Sequence, residues 1–165
     1  MKPYVAVVGA GRAPAALDRV AEDVGRGLGE QGAVVLCGGL SGVMEAACRG
    51  CRAAGGTSVG VLPGDDRAEA NEFVDVALAT GMGEMRNALI VRAADVVVAL
   101  GGEYGTLSEV AFALKIGRPV VGYDTWELSK DGEPRDGIVR VGSAEEAVAT
   151  ALRLCSRRSD GSSGR

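Results

Sequence analysis

The sequence predicts an α/β protein: a Rossmann-like, doubly wound parallel sheet of about six to seven strands with helices on both faces. Three observations carry this. Short apolar runs rich in β-branched residues alternate, from end to end, with segments whose apolar residues recur at helical spacing. Three glycine loops, at Gly9–Gly11, Gly38–Gly42 and Gly101–Gly105, each follow one of those runs. That puts all three at the carboxyl edge of one parallel sheet, where such folds bind ligands. At 165 residues, 47% hydrophobic and 24% charged, the chain is long enough to close one core.

Val5 to Val8 reads as the first strand, ending at Gly9-Ala10-Gly11-Arg12. Leu17, Val20, Ala21, Val24 and Leu28 then form a helical stripe. Ala33 to Leu36 is the second strand, followed by the glycine loop that starts at Cys37-Gly38. Val43 to Ala54 is a small-residue helix stopped by Gly55-Gly56. Thr57 to Leu62 is the third strand, closed by Pro63-Gly64. Asp65 to Glu72 is a polar loop with a short helical turn, and Val74 to Ala79 is the fourth strand. Gly81-Met82-Gly83 leads into a helix from Glu84 to Ala94. Asp95 to Leu100 is a buried strand, and Leu107 to Lys115 is a helix. Gly117-Arg118-Pro119 is a stop signal before the strand Pro119 to Tyr123. Trp126 to Arg135 reads as a polar connection and Ile138 to Val141 as the last strand. Ser143-Ala144-Glu145-Glu146 is a capping box opening a helix that runs to about Ser156. Residues 1–157 are expected to form a single domain, and 158–165, too polar and glycine-rich to pack, a disordered tail.

Composition excludes several function classes. No apolar run approaches the ~20 residues of a membrane span. Met1-Lys2-Pro3 enters a strand with no signal-peptide pattern, so the expected location is the cytoplasm, with no membrane partner. A net charge of −4 argues against a general nucleic-acid surface. No histidine occurs, which removes Ser-His-Asp and Cys-His nucleophiles and His-based metal sites. Lysine stands only at Lys2, Lys115 and Lys130, and Lys115, at the far end of its helix, is a poor place for a pyridoxal-phosphate Schiff base. Cys48-Arg49-Gly50-Cys51 has C-x-x-C spacing but lies inside a helical stretch, and Cys37 and Cys155 offer no second pair. The four cysteines therefore read as reduced core or semi-buried thiols, and no metal or other cofactor is expected.

The run Gly101-Gly102-Glu103-Tyr104-Gly105-Thr106-Leu107-Ser108-Glu109 is the most informative stretch. A glycine loop between strand and helix presents bare backbone N–H groups, and the helix dipole adds positive charge there, which makes a seat for a phosphate. Gly101, Gly102 and Gly105 form the loop, and Thr106 is expected to cap the helix and donate to the same anion. Glu109, one turn in, is a poor phosphate ligand and addresses a neighbouring sugar or a reacting water instead. Gly9, Gly11 and Arg12 on the first loop, and Gly38, Gly39, Gly42 and Met44 on the second, line the same edge. A dinucleotide fingerprint is not completed: Pro14 stands where a third small residue is needed, and Cys37-Gly38 where an acid should end the second strand. The P-loop pattern is absent too. A compact site for one phosphate and one sugar fits these loops.

Gly38-Gly39-Leu40-Ser41-Gly42-Val43-Met44-Glu45, Met85-Arg86-Asn87 and Gly101–Glu109 together resemble the LOG family. These are Rossmann-like proteins once mislabelled lysine decarboxylases, and they include cytokinin riboside 5′-monophosphate phosphoribohydrolases. The resemblance runs from Val5 to the final helix. It implies that an arginine of M-x-x-R-K and the glutamate of P-G-G-x-G-T-x-x-E form a catalytic pair, and Arg86 and Glu109 fall at those places at the family's spacing. Two departures stand out. Arg86-Asn87 replaces Arg-Lys, and Gly101-Gly102-Glu103 replaces Pro-Gly-Gly, which puts a carboxylate into the phosphate loop. That variant is similar to a side branch that includes molybdenum-cofactor carrier proteins, which bind a phosphorylated pterin and need not hydrolyse anything.

Two functions follow as expectations. The first is hydrolysis of the N-glycosidic bond of a nucleoside 5′-monophosphate to free base and ribose 5-phosphate. There Glu109 would stabilise oxocarbenium-like charge and Arg86 would hold the ligand and offset charge on the leaving base. The alternative is a non-catalytic binder or carrier of a phosphorylated pterin or nucleotide. The resemblance also implies a homodimer with its sites near the subunit interface. Against these stand plainer readings: Arg86 as a solvated surface residue, Glu109 as a complement to the helix dipole, and the glycines as tight turns.

Overall fold

The computed structural model describes residues 1–135 and 137–161. Its strands are β1 (Tyr4–Gly9), β2 (Val34–Cys37), β3 (Thr57–Leu62), β4 (Val76–Ala79), β5 (Val96–Leu100), β6 (Val120–Tyr123), β7 (Ser129–Lys130), β8 (Glu133–Pro134) and β9 (Ile138–Arg140). Its helices are α1 (Ala15–Glu30), α2 (Val43–Ala53), α3 (Asn87–Ala93), α4 (Tyr104–Lys115) and α5 (Ala144–Gly161). Seven strands form one sheet in the order β4-β3-β2-β1-β5-β6-β9, every neighbouring pair parallel. This is the Rossmann-like α/β class expected from the alternating pattern. Among the described residues no helix is long and apolar enough to cross a membrane.

The strand order reverses between β1 and β5, where Gly9 lies opposite Leu100. The first and third glycine loops therefore leave the sheet side by side at its switch point. Side chains alternate across the sheet. Val5, Val7, Val35, Val96, Val98 and Leu100 meet residues of α1, α2 and α5 on one face. Ala6, Val8, Val34, Leu36, Val97 and Ala99 meet residues of α3 and α4 on the other. Because β5 is covered on both faces, it reads in sequence as an unbroken apolar run.

Helices α1 and α2 approach so closely that only glycine fits at the crossing. A Cβ at Gly25 would lie 1.9 Å from the Ala47 carbonyl oxygen, and one at Gly50 1.9 Å from that of Glu22. Arg49 ties the pair further, donating to Asp18 at 2.7 Å and Glu22 at 3.0 Å.

Four local expectations are corrected. The helix foreseen over Glu84 to Ala94 is broken into a 3-10 turn at Gly83–Arg86 and the short α3, because Gly81 and Gly83 take φ of 61° and 55°. Helix α4 starts at Tyr104 with Glu103 at its N-cap, so Thr106 is the third helical residue and not the cap. The Trp126–Arg135 connection carries the hairpin β7–β8, turned on Asp131 and Gly132, both at positive φ as such tight hairpins require. Helix α5 continues to Gly161, past the stop expected near Ser156, and residues 162–165 of the expected tail lie outside the described residues. Its capping box is in place at Ser143 as expected, with the return bond one residue upstream. Ser143 Oγ accepts the Glu146 N–H, while the Glu146 carboxylate reaches back to the Gly142 N–H.

Candidate functional site

The third glycine loop presents backbone rather than side chains at the sheet edge. The first hydrogen bond of α4 runs from the Leu107 N–H to the Glu103 carbonyl at 3.0 Å. The amides of Tyr104, Gly105 and Thr106 thus precede the helical ladder, at the positive end of the helix dipole. Gly102 takes φ of 129°, and a Cβ there would fall 2.6 Å from Thr106 Cβ, so the loop folds down onto a buried threonine. The exit of β6 holds the loop from outside. Gly101 donates its N–H to the Tyr123 carbonyl, and the Gly101 carbonyl accepts from Thr125 Oγ1 at 2.5 Å. Trp126 Nε1 donates to the Glu103 carbonyl at 3.2 Å. Thr125 and Trp126 were not foreseen as site supports, although a sole tryptophan in a polar connection was a usable signal.

The first and second loops form one surface. The Val43 N–H reaches the Ala10 carbonyl at 3.1 Å, and Ser41 Oγ donates to the Gly11 carbonyl at 2.9 Å. A Cβ on Gly42 would lie 2.3 Å from the Ala10 oxygen. Asn71, also unforeseen, fastens the second loop from below: its N–H donates to the Gly39 carbonyl and its Nδ2 to Leu40 O, each at 2.8 Å.

Arg86 and Glu109 are brought to this edge and buried, at 6% and 7% exposure. Burial overturns the surface-arginine alternative. The guanidinium and the Met44 sulfur both lie over Gly38, and Nη1 donates to Asn87 Oδ1 at 2.7 Å. Its Nε is buried without a partner. Burial pushes the Glu109 carboxyl up to about 7, with Arg86 pulling the other way and Glu84 adding to the rise. The two side chains feel each other's charge without closing an ion pair. A buried cation close enough to act on a carboxyl raised to about 7 can offer charge to an anionic group and a proton to a ring or sugar.

Of the other foreseen residues, Gly9, Gly38, Gly39, Gly42, Met44, Gly101 and Gly102 stand on these loops or pack within them. Gly11 and Gly105 face open space. Arg12 and Glu103 are exposed on their loops. A groove of about 550 Å³ between α1 and α5, lined by Arg26, Gly27, Glu30, Val148 and Leu152 among others, includes none of these residues. The cysteine reading needs correction: Cys37 does have a second thiol beside it, with its sulfur 3.4 Å from that of Cys48.

Residues 2–148 match the model of the SLOG cluster4 family. A protein of Archaeoglobus fulgidus, described only as uncharacterized, is 43% identical over 116 residues, 70% of this chain and 76% of its own. The molybdenum cofactor carrier protein of Chlamydomonas reinhardtii superposes with a TM-score of 0.85 at 33% identity, over 94% of this chain and 99% of the other. The molybdenum cofactor binding protein of Rippkaea orientalis superposes at 0.84 with 31% identity, over 93% and 98%.

Proposed function

The chain belongs to the SLOG cluster4 family, which bears out the LOG-type resemblance of its motifs, and on that premise we propose that it binds and carries a phosphorylated pterin at the carboxyl edge of its sheet. The observation that carries this reading is the likeness, across more than nine-tenths of both chains, to proteins that bind or carry molybdenum cofactor. The site geometry agrees with it. The amides of Tyr104, Gly105 and Thr106 would seat the phosphate. The Arg86 guanidinium and the Glu109 carboxyl would meet the hydrogen-bonding edge of the ring. Glu103, the acid in place of a family glycine, leaves the loop suited to holding an anion less tightly than an all-glycine loop would, as release from a carrier requires.

One observation favours a second reading, the nucleoside 5′-monophosphate hydrolase. A buried carboxyl raised to about 7 beside an arginine is the setting of an acid–base group. The two readings separate in one experiment. Purified protein is melted with and without a phosphorylated pterin, then incubated with AMP and N6-substituted AMP. Pterin-dependent stabilisation without release of free base supports the carrier. Release of base and ribose 5-phosphate, lost in Glu109→Gln, supports the hydrolase. A flat melting response and no release remove both.

The homodimer belongs to the same proposal. Met82, Met85 and Leu89 stand exposed around the turn that delivers Arg86, Met85 at 72%. A second copy packed there would cover apolar surface beside the site and restrict its mouth.

A further inference from the structure

The buried Cys37 and Cys48 sulfurs lie 3.4 Å apart under the second glycine loop, in a chain whose proposed function uses neither. Cys37 ends β2 and is followed at once by Gly38-Gly39. Its sulfur accepts the Gly39 N–H at 3.3 Å. Cys48 sits in the middle of α2, and α2 is locked to α1 by the glycine crossings and by Arg49. A bond between the sulfurs requires them to close to about 2.05 Å. The helix side cannot give, because a shift there meets α1 backbone. The movement falls on the end of β2 and on the two glycines after it, which are the compliant part of the connection.

We propose that Cys37 and Cys48 form a reversible disulfide with a peroxide-class oxidant, and that this bond reshapes the Gly38–Gly42 loop and so loosens ligand binding at the sheet edge. Both sulfurs are fully buried, so the oxidant reaches them when the Gly38–Gly42 loop opens. Cys48 is then the attacking sulfur: the contact with Cys37 holds it below the ordinary thiol range, while the same contact, with burial, raises Cys37. The Cys48 thiolate attacks one peroxide oxygen, the O–O bond breaks, and Cys48 becomes a sulfenic acid as hydroxide leaves. Cys37 then attacks the Cys48 sulfur, the S–O bond breaks, and its oxygen leaves with a proton as water. In sum two thiols and one hydrogen peroxide give one disulfide and two waters. A thiol reductant reverses the change. Gly38 is the backbone on which Arg86 rests, so displacement of Gly38 reaches the ligand-binding arginine directly.

The effect on binding rests on the function proposed above, and the effect on the loop does not, so the experiment reads both. The full chain is treated with hydrogen peroxide and digested with trypsin without reduction. No lysine or arginine lies between Arg26 and Arg49, so Cys37 and Cys48 share the peptide Gly27–Arg49. The expected product is that peptide short of two hydrogens, restored by reductant. Amide exchange over residues 38–43 should rise about fivefold or more in the oxidised protein, and its affinity for ribose 5-phosphate should fall by about the same factor. Cys48→Ser should show none of these responses, and the wild-type measurements stand if that variant does not fold. Three results overturn the proposal: no intrapeptide loss of hydrogen, a cross-link from Gly27–Arg49 to the Cys51 peptide, or a disulfide that leaves exchange unchanged. If the reduced protein does not bind ribose 5-phosphate at all, the proposed ligand site fails, while amide exchange still decides the switch.

Discussion

The Arg86 guanidinium rests on the backbone of Gly38: a Cβ at residue 38 would lie 2.6 Å from Nη2 and 2.8 Å from Nη1. The missing side chain gives a cation from the turn before α3 a place at the end of β2. There it is buried yet keeps one N–H unpartnered at Nε. A buried donor without a partner is costly, of the order of 1–3 kcal/mol, and a shift of the guanidinium that gives Nε an acceptor recovers that cost.

Gly38→Ala tests this contact. The atoms it would meet are the ends of two flexible side chains, Arg86 and the Met44 sulfur at 2.7 Å, and not backbone. The fold should therefore survive with a loss of about 1–2 kcal/mol. Affinity for a phosphorylated pterin should fall about tenfold or more, since a hydrogen bond to a charged group is worth about 1.5–3 kcal/mol. Gly42→Ala is the contrast: its Cβ meets the Ala10 carbonyl oxygen and its φ is 69°, so it should lose stability first. Melting curves and calorimetric titration separate the two. A Gly38→Ala protein that binds like wild type would show that Arg86 does not touch the ligand.

Glu109 makes stability depend on pH in a defined direction. Burial raises its carboxyl from 4.5 to about 7. The fold therefore favours the neutral acid. That contribution is fully present below about pH 4.5 and is lost as pH rises through about 7. The whole effect is of the order of 3 kcal/mol. Glu109→Gln removes it, so the variant should gain on wild type in urea denaturation at pH 8 and show little gain at pH 4.5. A difference that stays constant across this range would mean that Glu109 is solvated in the folded protein.

The sheet was legible because its central strands are covered on both faces. Val96–Leu100 and Val34–Cys37 are apolar throughout and rich in β-branched residues, and nothing polar interrupts them. The glycine loops were legible for the same reason, since each ends such a run. The broken helix before α3 was not, because Met82, Met85 and Ile90 keep a helical rhythm while Gly81 and Gly83 turn the chain aside. Burial of Arg86 was hidden as well. It depends on the residue opposite, Gly38, which is distant in sequence. The Cys37–Cys48 contact required the crossing of β2 and α2, and Asn71 lay in a loop whose polarity suggested only exposure. The Asp131-Gly132 turn was written in the sequence, between flanks too polar to read as strands.

The apolar surface around Met82, Met85 and Leu89 predicts self-association. Sedimentation of the wild-type protein should report a dimer, and Met85→Asp should shift it toward the monomer with the single-chain fold intact by circular dichroism. The charge would be placed at a residue 72% exposed in the lone chain, so it costs nothing in the monomer core. A wild-type monomer, or a dimer indifferent to Met85→Asp, would move the interface elsewhere.

Glu103 gives the last test, because it occupies the N-cap of α4 without using its side chain to cap. Its φ of −110° is accessible to any residue, so glycine is not required there. Ser at this place can accept an N–H of the first helical turn, which should raise stability by about 0.5–1 kcal/mol. It also removes a negative charge from the rim of the proposed phosphate seat. Glu103→Ser should therefore bind ribose 5-phosphate more tightly at low ionic strength. The gain should shrink as salt is added, since exposed charges are screened over about 10 Å at 0.1 M. A stability gain with no salt-dependent gain in affinity would mean that the anion does not sit at the start of α4. Weaker binding would mean that the Glu103 carboxylate itself holds the ligand, through a sugar hydroxyl or a ring N–H.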